Sequence, residues 1–182
     1  MSANDQRNWF ERLSAKIPGY GGYVDKERRR DTDKRQRELL ADRVRSLKGP
    51  INEVMRDLST GGRLFEIGPV DHLTKKIDRI ENRIRYASYG YSGFFDVVKI
   101  QEAQLDALYQ FDLSLVEQVD ALEAKINELK ANSGTADGLK TAASAAGDAV
   151  DQLEHIFEGR YNAVNGFGQG PPTQEPAPLF NS

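Results

Sequence analysis

PVDHLTKKIDRIENRIRYA, residues 69–87, is the stretch that decides the fold class. Its apolar residues are separated alternately by three and four positions: Val70, Leu73, Ile77, Ile80, Ile84 and Ala87. This spacing places them on one face of an α-helix, with charged residues on the opposite face. Gly68 precedes Pro69, and proline is favoured at the first position of a helix. The stretch therefore predicts an amphipathic helix with one buried face.

The same spacing continues on the N-terminal side of this helix. It connects six apolar residues: Leu40, Val44, Leu47, Ile51, Val54 and Leu58. The phase is kept across Gly49-Pro50, although a proline removes one backbone hydrogen bond from a helix. We therefore expect a kinked or broken helix pair that starts near Asp25, ends at Gly61-Gly62 and shares one buried face.

On the C-terminal side, the spacing predicts the two longest helices of the chain. The first covers about residues 94–130 and has a seam of eleven positions: Phe94, Val98, Gln101, Leu105, Leu108, Asp112, Leu115, Val119, Leu122, Ile126 and Leu129. A turn at residues 132–134 leads into the second, over about 136–163, whose first half is rich in alanine. Small side chains allow two helices to approach closely, so the pair should form a long hairpin that resembles a coiled coil.

These elements predict an all-α fold, an antiparallel helical bundle with a long coiled-coil-like hairpin. Residues 1–24 should supply a short helix, over about 5–16, and a Gly/Tyr-rich loop. Residues 25–165 should form the bundle. From residue 166 the chain is rich in glycine and proline, which predicts a disordered tail over 166–182.

The composition excludes several kinds of chemistry. The 182 residues include no cysteine, so disulfides, thiolate zinc sites and cysteine nucleophiles are excluded. Neither His72 nor His155 lies in the Glu-x-x-His pattern of a carboxylate-bridged metal site in a helical bundle. We therefore expect no metal, no cofactor and no enzymatic activity. The N-terminus is polar and no long apolar run occurs, which indicates a cytoplasmic protein.

Charge is distributed unevenly along the sequence. Residues 1–91 contain 20 Lys and Arg against 14 Asp and Glu, whereas residues 92–182 contain 5 against 14. One interpretation is that a basic half packs on an acidic half within one molecule. The other is that one charged face is kept for a partner.

The strongest basic segment covers residues 26–38, where four acidic residues are interspersed among seven basic ones. Its bases include five candidate contact residues: Arg28, Arg29, Arg30, Arg35 and Arg37. One interpretation is a solvated helix with ion pairs four residues apart, such as Asp33–Arg37 and Lys34–Glu38. Another is a docking surface for an acidic protein or an anionic membrane. Nucleic acid is not an expected partner, because acids are interspersed and aromatic residues are missing.

Two Gly/Tyr-rich turns are the most distinctive local features. Tyr20 and Tyr23 lie in the first, and Tyr89 and Tyr91 lie in the second. Glycine permits close backbone approach, while tyrosine packs its ring and keeps its hydroxyl at a rim. The turns could pack on each other at one end of the bundle, or form an exposed aromatic recognition patch.

Asp112 is the one acidic residue on the predicted seam of the long helix. A buried carboxylate needs a hydrogen-bonded or charged partner. We expect Arg83, Arg85 or Tyr86 of the preceding helix to be this donor, and the pair to fix the helix register.

Three runs of sequence support a resemblance: Ile17-Pro-Gly-Tyr-Gly-Gly-Tyr23, Lys26-Glu-Arg-Arg-Arg30 and Arg85-Tyr-Ala-Ser-Tyr-Gly-Tyr91. They resemble an uncharacterised family of bacterial α-helical proteins, over residues 17–38 and 77–112. The resemblance implies no activity and no functional residues. It implies an association with operons that encode SPFH/band-7 membrane-scaffold proteins.

The function predicted is that of a non-catalytic helical scaffold or adaptor that acts through protein–protein contacts, including contacts in a homo-oligomer. A first alternative is a peripheral membrane-scaffold or membrane-remodelling partner at the inner membrane face, which would bind anionic lipid through the basic helix. A second alternative is a metal-carboxylate enzyme built on a helical bundle.

Overall fold

The computed structural model describes residues 11–17, 26–87 and 102–168, with side chains at 11–17, 29–87 and 104–164. Residues 11–16 are helical. The other elements are α1 (Lys26–Ser46), α2 (Lys48–Thr60), a 3-10 helix (Leu64–Glu66), α3 (Ile67–Tyr86), α4 (Glu102–Asn132) and α5 (Ala136–Gly168). The helices pack together in an all-α bundle, which confirms the predicted fold class. Tyr20, Tyr23, Tyr89 and Tyr91, and the tail beyond residue 168, lie outside the described residues.

α1 and α2 form the predicted broken helix pair. The break lies at Leu47, whose N–H donates to the carbonyl of Val44 at 3.2 Å, a tighter turn than in an α-helix. Pro50 falls in the first turn of α2, where a backbone N–H has no acceptor within the helix. The missing N–H of proline therefore costs no helical hydrogen bond there. All six residues of the shared face are buried: Leu40, Val44, Leu47, Ile51, Val54 and Leu58. The continuous apolar face therefore survives the break.

A glycine in the left-handed region ends α2. Gly62 has φ +73°, and the N–H of Arg63 donates to the carbonyl of Leu58 at 2.8 Å. The N–H of Gly62 donates to the carbonyl of Ser59 at 3.3 Å. These two bonds are the Schellman pattern, which satisfies carbonyl groups at the end of a helix.

We expect Gly62→Ala to lower the free energy of unfolding by about 1 kcal/mol, because a side chain disfavours the left-handed conformation. No atom lies within 4 Å of the added methyl group, so backbone strain alone is tested. Gly68→Ala is the matched control, since Gly68 lies in the first turn of α3 with equal space around it. Urea denaturation of both variants measures the effect. Equal stability of the two variants would contradict this account.

Two boundaries differ from the predictions. α3 begins at Ile67, so Pro69 is its third residue rather than its first. α5 continues to Gly168, beyond residue 166, where the sequence predicted the tail to begin. The extension follows the buried positions Phe157, Arg160 and Val164, which carry the helical period through the glycines near the end of α5.

The bundle has two ends, named here for what they contain. The turn end consists of residues 61–66, between α2 and α3, and residues 133–135, between α4 and α5. The guanidinium of Arg63 joins these two turns by donating to the carbonyl of Ser133 at 2.6 Å. The network end contains the starts of α1 and α4, Tyr86 at the end of α3, and the last turns of α5. α1 and α2 run towards the turn end, α3 returns, and α4 and α5 repeat this path as a hairpin.

Small residues bring α5 close to its neighbours. Its inward face contains four buried alanines: Ala142, Ala143, Ala146 and Ala149. Nearer the network end, a Cβ at Gly159 would come within 3.1 Å of the Phe111 ring on α4. The predicted close approach within the hairpin is therefore seen along most of its length.

Candidate functional site

A buried ionic network joins α1, α4 and α5. The guanidinium of Arg160 donates through Nε to Asp112 at 2.6 Å and through Nη2 to Asp33 at 2.8 Å. Arg160 is 1% exposed, and both carboxylates are fully buried. Asp33 lies on α1, Asp112 on α4 and Arg160 on α5. These two ion pairs therefore fix the register of all three helices.

Arg37 extends the network to the end of α3. Its Nε donates to Asp33 at 3.0 Å, and its Nη1 lies 3.2 Å from the carbonyl oxygen of Arg85 and 3.4 Å from that of Ile84. These carbonyls belong to the last turn of α3, where backbone acceptors have no partner within the helix. Arg37 therefore satisfies the C-terminus of α3 and holds one carboxylate of the network.

The network lies at the level where α3 ends. α3 stops at Tyr86, whereas α1, α4 and α5 continue in the described residues to Lys26, Glu102 and Gly168. Beyond this level α3 no longer contributes to the core, whereas α1, α4 and α5 continue. Polar side chains thus occupy the interior of the bundle at the level where α3 ends and no longer supplies apolar side chains.

The four side chains of the network carry two positive and two negative charges. Burying an ion pair removes both groups from water, and the attraction between them roughly offsets this cost. The network therefore contributes more to the choice of one helix arrangement than to net stability. An arrangement of this kind positions helices and the segments attached to them.

Two of the five arginines predicted as surface contacts are buried instead. Arg29 and Arg37 are each 6% exposed, whereas Arg30 and Arg35 are exposed. The side chain of Arg28 lies outside the described residues. The predicted Asp33–Arg37 pair does form, but in the interior rather than on a solvated face. The physical reason is the phase of α1, which turns residues 29, 33, 36 and 37 towards the same side as Leu40.

The helical spacing of the sequence indicates that these residues of α1 face the interior. Counting back from Leu40 in steps of four, three and four reaches Gln36, Asp33 and Arg29, which are all buried. Arg160 likewise falls between Phe157 and Val164 on the seam of α5. Sequence reasoning missed their burial because, on α1 and α5, it followed apolar side chains only.

The donor to Asp112 is Arg160, and none of the three expected donors reaches this carboxylate. Arg83 binds Glu158 at 2.9 Å and also Glu154. Arg85 binds Asp42 and Glu81, each at 2.7 Å, and Tyr86 is 74% exposed. α3 ends below the level of Asp112, so the arginines of its last turn form ion pairs at the surface instead.

Ion pairs on the surface connect the basic and acidic halves of the chain. Between α3 and α5, Lys76 binds Asp151 at 2.7 Å and Arg79 binds Glu154 at 2.8 Å. On another side, Arg43 of α1 binds Asp120 and Glu123 of α4. This pairing confirms that the two halves pack on each other within one molecule.

Asp120 couples one of these contacts to pH. Burial alone would raise the pKa of its carboxyl group, but hydrogen bonds from Lys16 and Arg43 outweigh burial and hold the pKa below the ordinary value of an aspartate. A carboxyl group with a lower pKa in the folded state stabilises the fold above its unfolded pKa, and this stabilisation is lost as pH falls through the folded value. We expect Asp120→Asn to be less stable than the natural chain at pH 7, with a difference that shrinks below about pH 4. Urea denaturation across pH checks this, and a constant difference would contradict it.

Large apolar side chains that are exposed in the described part of the chain lie near its two ends. Phe65 is 102% exposed and Leu64 is 59% exposed, both in the 3-10 helix of the turn end. Tyr86 and Tyr161 lie towards the network end. The flanks between these ends carry the surface ion pairs.

A shallow groove lies between the N-terminal halves of α3 and α5, towards the turn end. Its volume is about 260 Å³. The buried residues Leu73, Ala143 and Gly147 form its floor, and its rim includes Pro69, His72, Lys140, Ser144 and Asp148. Small side chains on α5 create this space.

No cluster of three or more acidic or histidine side chains in residues 11–17, 26–87 and 102–168 is arranged to hold a metal ion. In the same ranges, every helix is too short or too polar to cross a bilayer.

Comparisons of the chain with models of protein families, with curated proteins and with solved structures each found no match.

Proposed function

We propose that this chain is a non-catalytic helical scaffold or adaptor that contacts other proteins through the two ends of its bundle. The observation that carries the proposal is the position of the exposed apolar side chains. Phe65 and Leu64 lie at one end and Tyr86 lies towards the other, whereas charged pairs cover the flanks between them. Exposed aromatic side chains on a rigid support are typical of protein contact sites.

The internal architecture supports a positioning role. α3 separates the turn with Leu64 and Phe65 from Tyr86, and its 20 residues correspond to about 30 Å along the helix. The buried network fixes three helices at one end, and Arg63 joins two turns at the other. Contact groups attached to such a framework keep a constant separation.

Affinity capture from the cells that encode the protein tests the proposal. A tagged natural chain is compared with Phe65→Ser and Tyr86→Ser, and with Lys125→Ser on the flank as the matched control. We expect the recovery of at least one specific protein to fall about tenfold or more in one end variant, as for a contact hot spot. The control should retain it. Identical recovery with all four chains would contradict a contact function at the ends.

Binding to anionic lipid is a second candidate function. Arg30, Lys34 and Arg35 remain exposed near the start of α1, which favours a cationic surface there. Burial of Arg29 and Arg37 makes this surface smaller than the sequence predicted. Co-sedimentation with vesicles that contain phosphatidylserine tests the candidate, with Arg30→Ala/Arg35→Ala as the variant. Binding that is independent of anionic lipid and of salt would exclude it.

A further inference from the structure

Residues 11–17, which precede α1, are held against α4 by charge, and this segment is named the strap here. Arg12 donates to Glu117 at 2.7 Å, and Lys16 binds Asp120. All four side chains are at least one third exposed. Because the pairs are in contact with solvent, dissolved salt weakens both of them.

The strap lies over a second apolar face of α4. Leu113, Val116, Glu117 and Asp120 share this face, because they are separated by three, one and three positions. Leu113 and Val116 each follow a seam residue directly, which turns them about 100° away from the seam. They are nonetheless 2% and 1% exposed. The strap is bound to both carboxylates of this face, so we infer that it shields the two apolar residues from water.

Two apolar side chains of the strap complete the contact. Leu13 and Ile17 are four residues apart, which places them on one side of the strap, and they are 0% and 4% exposed. Both belong to the same buried cluster as Leu113 and Val116. The strap thus sets two bases and two apolar residues against two acids and two apolar residues of α4.

Two features favour opening of this contact while the bundle stays folded. The hydroxyl of Ser14 is buried and has no hydrogen-bond partner in the part of the chain that the structure describes, so closing removes it from water without compensation. Opening also leaves Asp120 with a partner, because Arg43 of α1 lies 2.7 Å from this carboxylate. The closed state therefore has a cost that the open state lacks, and opening leaves this carboxylate paired.

We propose that the strap is releasable, and that it opens when its two ion pairs are weakened while the rest of the bundle stays folded. In the open state α4 presents Leu113 and Val116 beside the acidic side chains of Glu117 and Asp120. The strap therefore controls access to an apolar surface on a flank of the bundle. This surface is separate from the contacts proposed at the two ends, and the inference does not depend on them.

Hydrogen exchange of the full natural chain, followed by mass spectrometry at neutral pH, tests the proposal. The amides of residues 11–17 should exchange about three- to tenfold faster in about 1 M than in about 0.05 M sodium chloride, because screening weakens two exposed ion pairs. The amides between Val70 and Ile84 of α3 should exchange far more slowly and change less than about twofold. Exchange of the strap at the rate of α3, or at one rate in both salt concentrations, would overturn the proposal.

Charge reversal tests the pair between Arg12 and Glu117. Arg12→Glu alone and Glu117→Arg alone should each speed exchange of the strap about tenfold or more, because like charges then face each other. The double variant has opposite charges again and should return to within about threefold of the natural rate. Lys125→Glu is the matched control on α4, since Lys125 binds Glu128 of its own helix, and it should leave the strap unchanged. A double variant as open as the single variants would count decisively against the strap.

Replacement of the buried hydroxyl should have the opposite effect. Ser14→Ala removes the group that is dehydrated on closing, so exchange of the strap should become at least about fivefold slower. Alanine is also the better helix former, but that difference alone gives only about two- to threefold. Slowing no greater than this, or faster exchange, would contradict the account of the closed state.

Thiol labelling shows whether opening uncovers α4. The chain contains no cysteine, so Leu113→Cys places a single thiol under the strap, and Leu129→Cys makes the same change in the core nearer the turn end. Alkylation by iodoacetamide should accelerate with sodium chloride in Leu113→Cys, in parallel with exchange of the strap, but not in Leu129→Cys. Circular dichroism verifies that both variants are folded. Equal rates in the two variants would mean that only global unfolding exposes Leu113, and the proposal would fail.

Discussion

Replacing Arg160 with methionine is expected to lower the free energy of unfolding by about 3–5 kcal/mol, because it leaves two buried carboxylates without their shared cation. Arg160 donates to Asp112 at 2.6 Å and to Asp33 at 2.8 Å. Methionine fits the apolar part of the site but donates no hydrogen bond. In a chain of this size, such a loss corresponds to a fall in Tm of roughly 6–20 °C.

A matched quadruple variant separates the loss of partners from the loss of the network itself. Arg160→Met combined with Arg37→Met, Asp33→Leu and Asp112→Leu removes all four charges together. This variant should recover most of the lost stability, because apolar side chains avoid the cost of desolvation. Urea denaturation followed by circular dichroism measures all three chains. A single variant as stable as the natural chain would show that the two carboxylates do not depend on Arg160.

The second large effect concerns the apolar face of α3. Ile77 is fully buried among the helices of the bundle. We expect Ile77→Ala to lower the free energy of unfolding by about 2–5 kcal/mol, since it removes buried methyl groups and leaves a cavity. Thermal and urea denaturation provide the measurement.

Lys75→Ala is the control for this substitution, because Lys75 lies two residues away with its side chain 72% exposed. Its effect should stay within about 0.5 kcal/mol. Comparable losses in the two variants would mean that position 77 is not part of the core.

The sequence predicted the helices well because their buried positions are apolar and regularly spaced. Each of the core residues expected on α3 is buried from Val70 to Ile84, and the seam of α4 is buried at Leu108, Leu115 and Val119. In such stretches, the spacing of apolar residues along the chain is enough to predict which positions are buried in the folded protein. Gly49-Pro50 predicted a break between α1 and α2, which lies slightly earlier, at Leu47. The phase kept across it predicted the buried face that the two helices share.

The ionic network could not be derived in the same way. Asp33 and Arg160 are separated by 127 residues, and helical spacing says nothing about which partner a buried charge selects. A charged residue in the seam of a helix also looks like a surface residue when only apolar side chains are counted. Phe65 posed the opposite difficulty, because an apolar residue in a short turn is expected to be buried, and only the structure shows it exposed.

The distance along the chain between Asp33 and its partner has a consequence for biosynthesis. α1 leaves the ribosome long before residue 160 is translated, so during most of translation Asp33 lacks the arginine that joins it to α5 in the finished protein. The helices made first can associate through their apolar sides, but they cannot reach their final alignment. Synthesis of α5 is therefore the step that commits the nascent chain to one structure.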